Sequence, residues 1–415
     1  MKKIMFFLLC LSLFATVADA KRYVVTVQND TRAPVNWEAF VSRSGGSVVE
    51  HYDEVDAALL DLDEIQAERM INNRMPGMTI EEDVEIKWIL EKSSLVKDLH
   101  VFLDPSLEIK KNSAASVPAA SPAKSENRSS ITDYFLPQGE YPWSVIRMDL
   151  NDLWKLTLGQ NVKVAILDTG INYNHPDLKD NYAGGENFWK PGAPPLDDNG
   201  HGTHIAGTIA AVHNGFGVIG VAPKAKLYAV KVVGKKGTGN ISAIVAGVNW
   251  AMKNNINIIN LSLGSEQGFE AVNKAVQAAA AKNITVVCAA GNESAPVIYP
   301  AKLPETIAVS SLDSGDTFSY FSNFGPEIDF IAPGSIIYST AKNGKYEFLD
   351  GTSMASPHIA GMAALAYSLG YRTPEQIRSA LKASSVKIKG ISVKQQGAGL
   401  PLGSRLAKYY QGKGH

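Results

Sequence analysis

From about residue 138 onward, short runs of apolar residues alternate with longer segments in which apolar residues recur at helical spacing. Nearly continuous apolar runs are typical of strands that are buried on both faces of a parallel sheet. The predicted strands are residues 162–167, 226–233, 256–263, 284–289 and 306–310, and the predicted helices are residues 201–211, 241–254 and 269–282. This alternation predicts an α/β domain of three layers with a mainly parallel central sheet.

Residues 21–92 have a different pattern, in which short alternating runs flank two helical segments. The predicted strands are residues 22–28, 47–52, 57–62 and 84–90, and the predicted helices are residues 34–43 and 63–72. Asp63 is a typical N-cap for the second helix, and Pro76 and Gly77 follow its end. The order βαββαβ predicts a small ferredoxin-like α+β domain.

The first residues have the pattern of a secretory signal peptide. Lys2 and Lys3 precede an apolar stretch at residues 4–14, and small residues follow at 18–20. This order of charge, apolar core and small-residue cleavage site is that of an export signal. We therefore assign residues 1–20 to a signal peptide and expect a protein secreted to an extracellular or periplasmic space, with no transmembrane segment.

Residues 93–137 separate the two patterned regions. The stretch 112–130 is rich in Ser, Ala and Pro and has almost no large apolar residues, which is typical of a disordered linker. We expect a maturation cut between Lys92 and Gln138. Such a cut would separate the small domain from the larger domain, residues 138–415.

Bulk composition narrows the classes of function. The 415 residues are 45% hydrophobic and carry a formal net charge of −1, so a full core can form and no excess of positive charge indicates nucleic-acid binding. Cys10 and Cys288 are the only cysteines, and loss of Cys10 with the signal leaves no intramolecular disulfide. Because Cys288 ends an apolar run, we expect a buried and unreactive thiol.

Three short motifs carry candidate chemistry. Ser353 lies in the octapeptide Gly-Thr-Ser-Met-Ala-Ser-Pro-His, between a predicted strand at residues 346–349 and a helix that ends near Gly370. Asp168 follows the first predicted strand of the larger domain, and His201 opens its first predicted helix. A serine nucleophile needs a base that takes its proton and a third group that orients the base, and these motifs supply both.

Other interpretations of these motifs fit less well. An aspartic protease needs two carboxylates in similar tripeptides, and Asp313 begins a second one, but such enzymes are all-β proteins. The nucleophile turn of an α/β-hydrolase requires glycine where this chain has Ala355, and it places the serine first. Metal-binding histidine pairs usually have i, i+4 spacing, which His201 and His204 lack. We expect packing roles for His175, His204 and His358.

The order Asp, His, Ser along the chain is that of the subtilisins. Through these motifs and their spacing, residues 138–405 closely resemble the subtilisin-like serine proteases, or subtilases. The resemblance implies a subtilisin-like fold and peptide-bond hydrolysis through an acyl-enzyme on Ser353, with His201 as the base. It implies that Asp168 orients His201, and that the side-chain amide of Asn292 binds the oxyanion together with the N–H of the nucleophile.

The resemblance also implies a groove that binds an extended peptide through main-chain hydrogen bonds. The residues that would form its edges and the wall of its main pocket are Gly237, Gly239, Ile241, Ser262, Leu263, Gly264, Ala289 and Gly291. The family often has an aromatic residue at the position of Ile241, so we expect this outer pocket to differ. Glu293 is the single acidic residue beside the main pocket, where it would slightly favour basic substrate residues.

The small domain resembles the propeptide of subtilases in its pattern of elements. That resemblance implies an intramolecular chaperone and inhibitor, and therefore a zymogen that processes itself. The alternative is an independent small domain with another role, and the sequence leaves this alternative open.

A structural calcium ion is implied by residues 212–218, which match a calcium-binding loop of the family. By that match the ligands would be the carboxylate of Asp177, the side chain of Asn214 and three main-chain carbonyls. The three carbonyls are those of Val212, Phe216 and Val218. Gln138 is offset by about one residue from the family's remaining ligand, and a glycine-rich loop without a metal is the alternative.

The remaining expectations concern partners and rival functions. Asp197 and Asp198 are interpreted as a solvated loop, not as a second metal site, and no organic cofactor is expected. We expect a monomer that acts on proteins or peptides and does not bind nucleic acid. Two other functions stay open, namely a catalytically silent secreted binding or chaperone protein and a processing protease with one partner substrate.

Overall fold

The computed structural model describes residues 20–28, 35–89 and 139–414. The predicted signal peptide, apart from its last residue, and the whole predicted linker at 93–137 lie outside these residues. The described elements form a small antiparallel sheet near the N-terminus and a large parallel sheet after it.

The small domain has the predicted order βαββαβ. Its elements are β1 (Lys21–Val27), α1 (Trp37–Ser44), β2 (Ser47–Tyr52), a 3₁₀ turn (Asp53–Val55), β3 (Ala57–Leu62), α2 (Glu64–Asn72) and β4 (Met78–Glu82). The strands pair antiparallel in the order β2-β3-β1-β4. Asp63 caps α2, because its side chain accepts a hydrogen bond from Gln66 N while the Gln66 side chain accepts one from Asp63 N.

The fourth strand of this sheet is Met78–Glu82, so the prediction that a strand at residues 84–90 completes the small domain was wrong, although part of that range is a strand. The chain turns at Gly77, whose φ is +77°, and β4 pairs with β1 directly after the turn. A further short strand, β5 (Glu85–Lys87), pairs with the larger domain. The alternating residues after Glu82 therefore belong to a different sheet.

The larger domain is built on a seven-stranded sheet in the order β13-β12-β11-β10-β6-β8-β7, with all neighbouring strands parallel. Its elements are α3 (Trp143–Arg147), α4 (Asn151–Trp154), β6 (Lys163–Asp168), β7 (Tyr182–Asn187), α5 (His201–Ala210), β8 (Lys226–Lys231), β9 (Thr238–Asn240), α6 (Ile241–Lys253), β10 (Ile258–Leu261), α7 (Glu270–Ala281), β11 (Thr285–Ala289), β12 (Thr306–Leu312), β13 (Ile328–Pro333), β14 (Ile337–Thr340), β15 (Tyr346–Leu349), α8 (Thr352–Ser368), α9 (Pro374–Ser384), β16 (Ser385–Val386), α10 (Val393–Gln396), β17 (Leu400–Pro401) and α11 (Gly403–Gly412).

Helices cover both faces of the large sheet. Along β6, Val164 and Ile166 belong to one apolar core with residues of α5 and α8. Ala165 and Leu167 belong to a second core with residues of α6 and α7. Successive side chains of a strand point to opposite faces, so this division confirms the predicted three-layer α/β architecture.

The strands β7 and β13 at the two edges of the sheet are those that the apolar pattern missed. β7 has the sequence Tyr-Ala-Gly-Gly-Glu-Asn, which contains no apolar run. β7 is an incompletely covered edge strand, so its sequence need not be apolar. This reason does not apply to β13, which is apolar and mostly buried. In the described part of the chain, no helix is both long and apolar enough to cross a membrane.

The small domain packs on α6 and α7. Val24 and Leu59 lie in the same apolar core as Val245 of α6 and Val272 of α7. Their chain neighbours, such as Val25, face the small domain's own helices. The small sheet is therefore buried on both faces, and it brings β5 to β9.

Candidate active site

Asp168 and His201 meet at the carboxyl end of β6. Asp168 is the last residue of β6 and is completely buried, and His201 is the first residue of α5. His201 Nδ1 lies 2.8 Å from Asp168 Oδ1 and 2.9 Å from Asp168 Oδ2. A carboxylate at Nδ1 fixes the ring orientation and favours the tautomer in which Nε2 accepts a proton.

A buried carboxylate holds the loop that leads into His201. Asp197 accepts hydrogen bonds from N–H or hydroxyl groups of Thr169, Asn199, Gly200 and Thr203. Asp197 is only 7% exposed, so the expectation of a solvated loop was wrong at this residue. Its neighbour Asp198 forms an ion pair of 2.7 Å with Lys231. The sequence shows only a polar stretch here, because the burial arises from the return of the loop onto the end of β6.

Ser353 lies in the first turn of α8 and is 8% exposed. Its hydroxyl donates to the main-chain carbonyl of Ser262 at 3.0 Å, and the Ser262 hydroxyl donates to the main-chain carbonyl of Ser353 at 3.0 Å. The helix starts after Gly351, whose φ of +149° favours glycine. The candidate nucleophile is therefore placed beside the carboxyl end of β10, with its hydroxyl hydrogen directed at Ser262.

Asn292 lies just beyond β11, next to the start of α8. Its Oδ1 atom accepts hydrogen bonds from Thr352 N at 2.8 Å and from the Thr352 hydroxyl at 2.9 Å. Because the amide oxygen is held in this way, the NH₂ group is the part of the side chain directed elsewhere. Gly291 precedes it with a φ of +111°, and a Cβ atom there would lie 2.1 Å from Asn323 Nδ2, so the turn requires glycine.

Glu293 is hydrogen-bonded into the protein. Its Oε2 atom accepts from Asn292 N at 2.8 Å and from Asn323 Nδ2 at 2.9 Å. The carboxylate therefore fixes the turn that carries Asn292. Its attraction for basic substrate residues stays a prediction.

The predicted substrate-binding residues fall on two sides of one cleft. A small cavity beside Ser353 is lined by Trp88, Ser262, Leu263, Gly264, Ala289, Gly291, Asn292, Glu293, Ile298 and Thr352. Gly237 and Gly239 lie at the opposite side, next to and within β9. Ile241 is 1% exposed at the start of α6.

A segment of the chain itself lies in this cleft. β5 pairs antiparallel with β9, and Ile86 is opposite Gly239. Trp88 N donates to Gly237 O at 3.0 Å, and Gly264 N donates to Trp88 O at 3.2 Å. The segment thus runs between the two predicted edges of the groove. No motif in the sequence marks Trp88, since its neighbours alternate like any other strand.

The loop that carries the predicted calcium ligands closes over Asp177; these loop residues are Val212, Asn214, Phe216 and Val218. Asp177 is fully buried. Its Oδ1 atom accepts from Asn214 Nδ2 at 3.0 Å, and its Oδ2 atom accepts from Val218 N at 3.0 Å and from the Tyr346 hydroxyl at 2.9 Å. The structure therefore groups the carboxylate and the loop, as the resemblance implies.

Glu140 approaches the same loop and was not predicted. It is 4% exposed, accepts from Asn214 N at 3.2 Å and Gly215 N at 3.0 Å, and contacts His213 Nε2 at 2.6 Å. Gln138, which lies about one residue from the position of the family's remaining calcium ligand, is outside the described residues. Among the residues that the structure describes, no three His, Cys, Asp or Glu side chains group as a metal site.

The remaining histidines of the larger core and Cys288 pack within the protein, in agreement with the sequence. His175, His204 and His358 each form a ring-nitrogen hydrogen bond with a main-chain carbonyl. Burial lowers the pKa of His204 to about 3 and that of His358 to about 4. Cys288 is fully buried, and burial raises the pKa of its thiol.

Comparison with known proteins identifies close relatives of the larger domain. A model of the subtilase family matches residues 159–399. Subtilisin DY of Bacillus licheniformis is 46% identical over 237 residues, which are 55% of this chain and 85% of that protein. Subtilisin Savinase of Lederbergia lenta is 47% identical over 227 residues, which are 54% of this chain and 83% of that protein.

Two further matches differ in how much of the relative they cover. Subtilisin E of Bacillus subtilis (strain 168) is 49% identical over 216 residues, and the match spans 51% of this chain and 56% of that protein. Among solved structures, the crystal structure of a cold adapted subtilisin-like serine proteinase matches with a TM-score of 0.57 and 33% identity, over 62% of this chain and 96% of that chain.

Proposed function

Because the chain belongs to the subtilase family of serine peptidases, we propose that it is a secreted endopeptidase, made as a self-processing zymogen, that cleaves peptide bonds through an acyl-enzyme on Ser353. The observation that carries the site assignment is the contact of His201 Nδ1 with the buried Asp168 carboxylate. A histidine oriented by a carboxylate is the base that a serine nucleophile requires.

Catalysis begins when the Ser353 hydroxyl rotates from Ser262 O toward His201 Nε2. His201 takes the proton as Ser353 Oγ attacks the substrate carbonyl, and Asp168 stabilises the imidazolium. The NH₂ group of Asn292 and the N–H of Ser353 donate to the oxyanion. His201 then returns the proton to the leaving amine as the C–N bond breaks. Water attacks the resulting acyl-enzyme, His201 accepts its proton, and Ser353 is restored as the acid product leaves.

The first test replaces the nucleophile, with Ser379→Ala on the exposed side of α9 as a matched control. We expect wild type and Ser379→Ala to react with a fluorophosphonate probe, hydrolyse casein and lose the residues before about 138, as measured by intact mass. Ser353→Ala should do none of these, because alanine has no hydroxyl to acylate. Probe labelling of Ser353→Ala, or processing of this variant without added protease, would contradict the assignment.

The small domain is proposed to act as chaperone and inhibitor of the larger one. Asp83 accepts hydrogen bonds from Ser242 N at 2.8 Å and from the Ser242 hydroxyl at 2.7 Å. Glu81 accepts from Glu270 N at 2.9 Å and Ala271 N at 2.7 Å. Neither α6 nor α7 has a side-chain cap at its own N-cap residue. A carboxylate at a helix N-terminus supplies the missing acceptor and opposes the helix dipole, so the small domain supports two helices of the larger domain.

Inhibition is supported by the position of β5. The segment that contains Trp88 uses Gly237 O and Gly264 N, which are the groups that an extended substrate would need. A substrate peptide therefore competes with this segment for the same main-chain partners. Separation of the two domains at the linker would convert the inhibitor from a tethered group into a dissociable one.

A structural calcium ion is proposed at the 212–218 loop. The donors fit this metal, because the carboxylates of Asp177 and Glu140, the side-chain oxygen of Asn214 and main-chain carbonyls are hard oxygen ligands. Two buried carboxylates beside one loop are also costly unless positive charge offsets them. The ion would join the start of the larger domain, through Glu140, to the end of α5. It has no part in the catalytic steps, and no organic cofactor enters them.

Export and a monomeric state complete the proposal. The pattern of residues 1–20 supports secretion to an extracellular or periplasmic space, and proteins or peptides are the proposed substrates.

A further inference from the structure

Three tyrosines form an aromatic cluster beyond the end of α8, opposite the end that carries Ser353. Tyr371 lies between α8 and α9, and Tyr409 and Tyr410 lie on α11. The Tyr371 and Tyr409 rings are nearly parallel, with centroids 6.5 Å apart and planes at 20°, and the Tyr410 ring meets Tyr371 at 72°. Because α8 has 17 residues and is therefore about 25 Å long, the cluster is separate from the proposed catalytic cleft.

The cluster already holds a cation. The ammonium group of Lys413, the residue after α11, lies 4.6 Å from the centroid of the Tyr409 ring and 5.9 Å from that of the Tyr371 ring. At both distances a ring face attracts a cation. Lys413 is exposed and is flanked by Gly412 and Gly414, where a Cβ atom would have no neighbour within 4 Å. Its side chain can therefore leave the rings without disturbing packed structure.

A surface cavity adjoins the two rings. It has a volume of about 530 Å³ and is lined by Tyr371, Tyr409, Lys413 and Glu375, among others. This volume is in the range of pockets that bind small molecules, and the Glu375 carboxylate attracts positive charge. The Tyr371 hydroxyl is buried and has no hydrogen-bond partner among the residues that the structure describes. The cavity therefore offers ring faces, one negative charge and an unsatisfied hydroxyl.

We propose that Tyr371 and Tyr409 form a binding site for a quaternary ammonium group, such as that of choline, and that Lys413 occupies this site when no ligand is bound. A primary ammonium has three N–H donors that need acceptors, and ring faces satisfy them poorly. A quaternary ammonium has no N–H group, so it gains the attraction of the rings without leaving a donor unpaired. This site goes beyond the proposed proteolysis and does not depend on it.

The test measures binding of choline chloride to the full chain with Ser353→Ala, by isothermal titration calorimetry at constant ionic strength. The neutral alcohol 3,3-dimethylbutanol has nearly the same shape as choline and serves as the control ligand. We expect a dissociation constant on the order of a millimolar for choline. The alcohol should bind roughly tenfold more weakly, because attraction by the ring faces requires the positive charge.

Four variants assign the binding to the rings. Tyr409→Leu should weaken choline binding about tenfold, because it removes the ring nearest the cation, whereas Tyr409→Phe keeps the ring face and should keep the affinity. Lys413→Met should tighten choline binding about threefold, since no ammonium of the chain then competes. Tyr173→Leu removes one ring of a stacked pair with Tyr182 and should change nothing. Circular dichroism checks that each variant is folded.

The quaternary ammonium group could belong to a free small molecule or to a lipid headgroup. Sedimentation of the protein with phosphatidylcholine vesicles, lost in Tyr409→Leu, would assign the headgroup. Choline binding without such sedimentation would assign the free cation.

Two results would overturn the inference. One is equal binding, or no measurable binding, of choline and 3,3-dimethylbutanol to the Lys413→Met variant. The other is choline binding that Tyr409→Leu does not weaken. Because the titrations use protein without the Ser353 hydroxyl, neither result bears on the proposed protease activity, and failure of fluorophosphonate labelling would leave the cation site intact.

Discussion

At the scale of single residues, two buried histidines of the helices that carry the site stay uncharged. His204 and His358 are completely buried, and burial lowers the pKa of their rings to about 3 and about 4. In an unfolded chain both rings would titrate near pH 6.5. Below that pH the unfolded state binds more protons than the folded state, so these two residues reduce folding stability as the pH falls.

This linkage predicts acid sensitivity. In the inactive Ser353→Ala background, His358 alone should remove about 3 kcal/mol of unfolding free energy between pH 7 and pH 4. Glutamine does not titrate in this range, so the unfolding free energy of His358→Gln should fall by correspondingly less between pH 7 and pH 4. The variant should also be less stable at pH 7, because it replaces a completely buried side chain. Urea unfolding at pH 7, 5.5 and 4 measures how the unfolding free energy of each protein changes with pH. Equal pH dependence in the two proteins would refute titration of His358 as the cause.

Residue types near the site were predictable where a motif fixes the local backbone, as at Asp168, His201 and Ser353. Asp197 and Glu140 were not predictable in this way. Their neighbours in sequence are polar and typical of loops, and their burial results from contacts with distant segments. Trp88 was missed for the same reason, because only its partners on β9 distinguish it from a residue of the small sheet.

At the scale of elements, two helices of the larger domain donate N-terminal N–H groups to carboxylates of the small one. Asp83 and Glu81 supply acceptors at the N-termini of α6 and α7. The apolar pattern predicted these helices within a residue or two, since their buried stripes are continuous. It did not show that their caps come from another domain, because capping across domains leaves no local signal.

Removal of one cap should slow the formation of the native state. In Ser353→Ala protein refolded from urea, Asp83→Ala should reduce the refolding rate or yield about fivefold, since a lost helix cap costs about 1 kcal/mol. Glu68→Ala replaces an exposed carboxylate of α2 and serves as the control. Equal refolding of Asp83→Ala and Glu68→Ala would argue against a chaperone role for the cap.

At the scale of the whole molecule, the 212–218 loop connects parts that are far apart in sequence. Glu140 near the start of the larger domain, Asp177 after β6 and Tyr346 on β15 all meet there. The described residues contain no disulfide. An ion bound among these groups would therefore hold the three segments together.

Calcium should therefore raise the melting temperature of Ser353→Ala protein relative to the same protein with a chelator. At a calcium concentration about 100 times the dissociation constant, binding to the folded state alone contributes about 2.7 kcal/mol. Asp177→Asn and Glu140→Gln should lose most of this shift, while Asp180→Asn, at an exposed site, should keep it. An identical melting temperature with calcium and with chelator would rule out the site.

The pairing of β5 with β9 has a consequence for where the proposed inhibition would end. While the chain is continuous, the tether keeps the local concentration of the blocking strand far above that of any substrate. If the linker is cut as proposed, that concentration becomes the concentration of the released domain in its surroundings. The proposed activity would then depend on dilution: the enzyme would stay inhibited where the released domain accumulates and would become active where that domain is diluted.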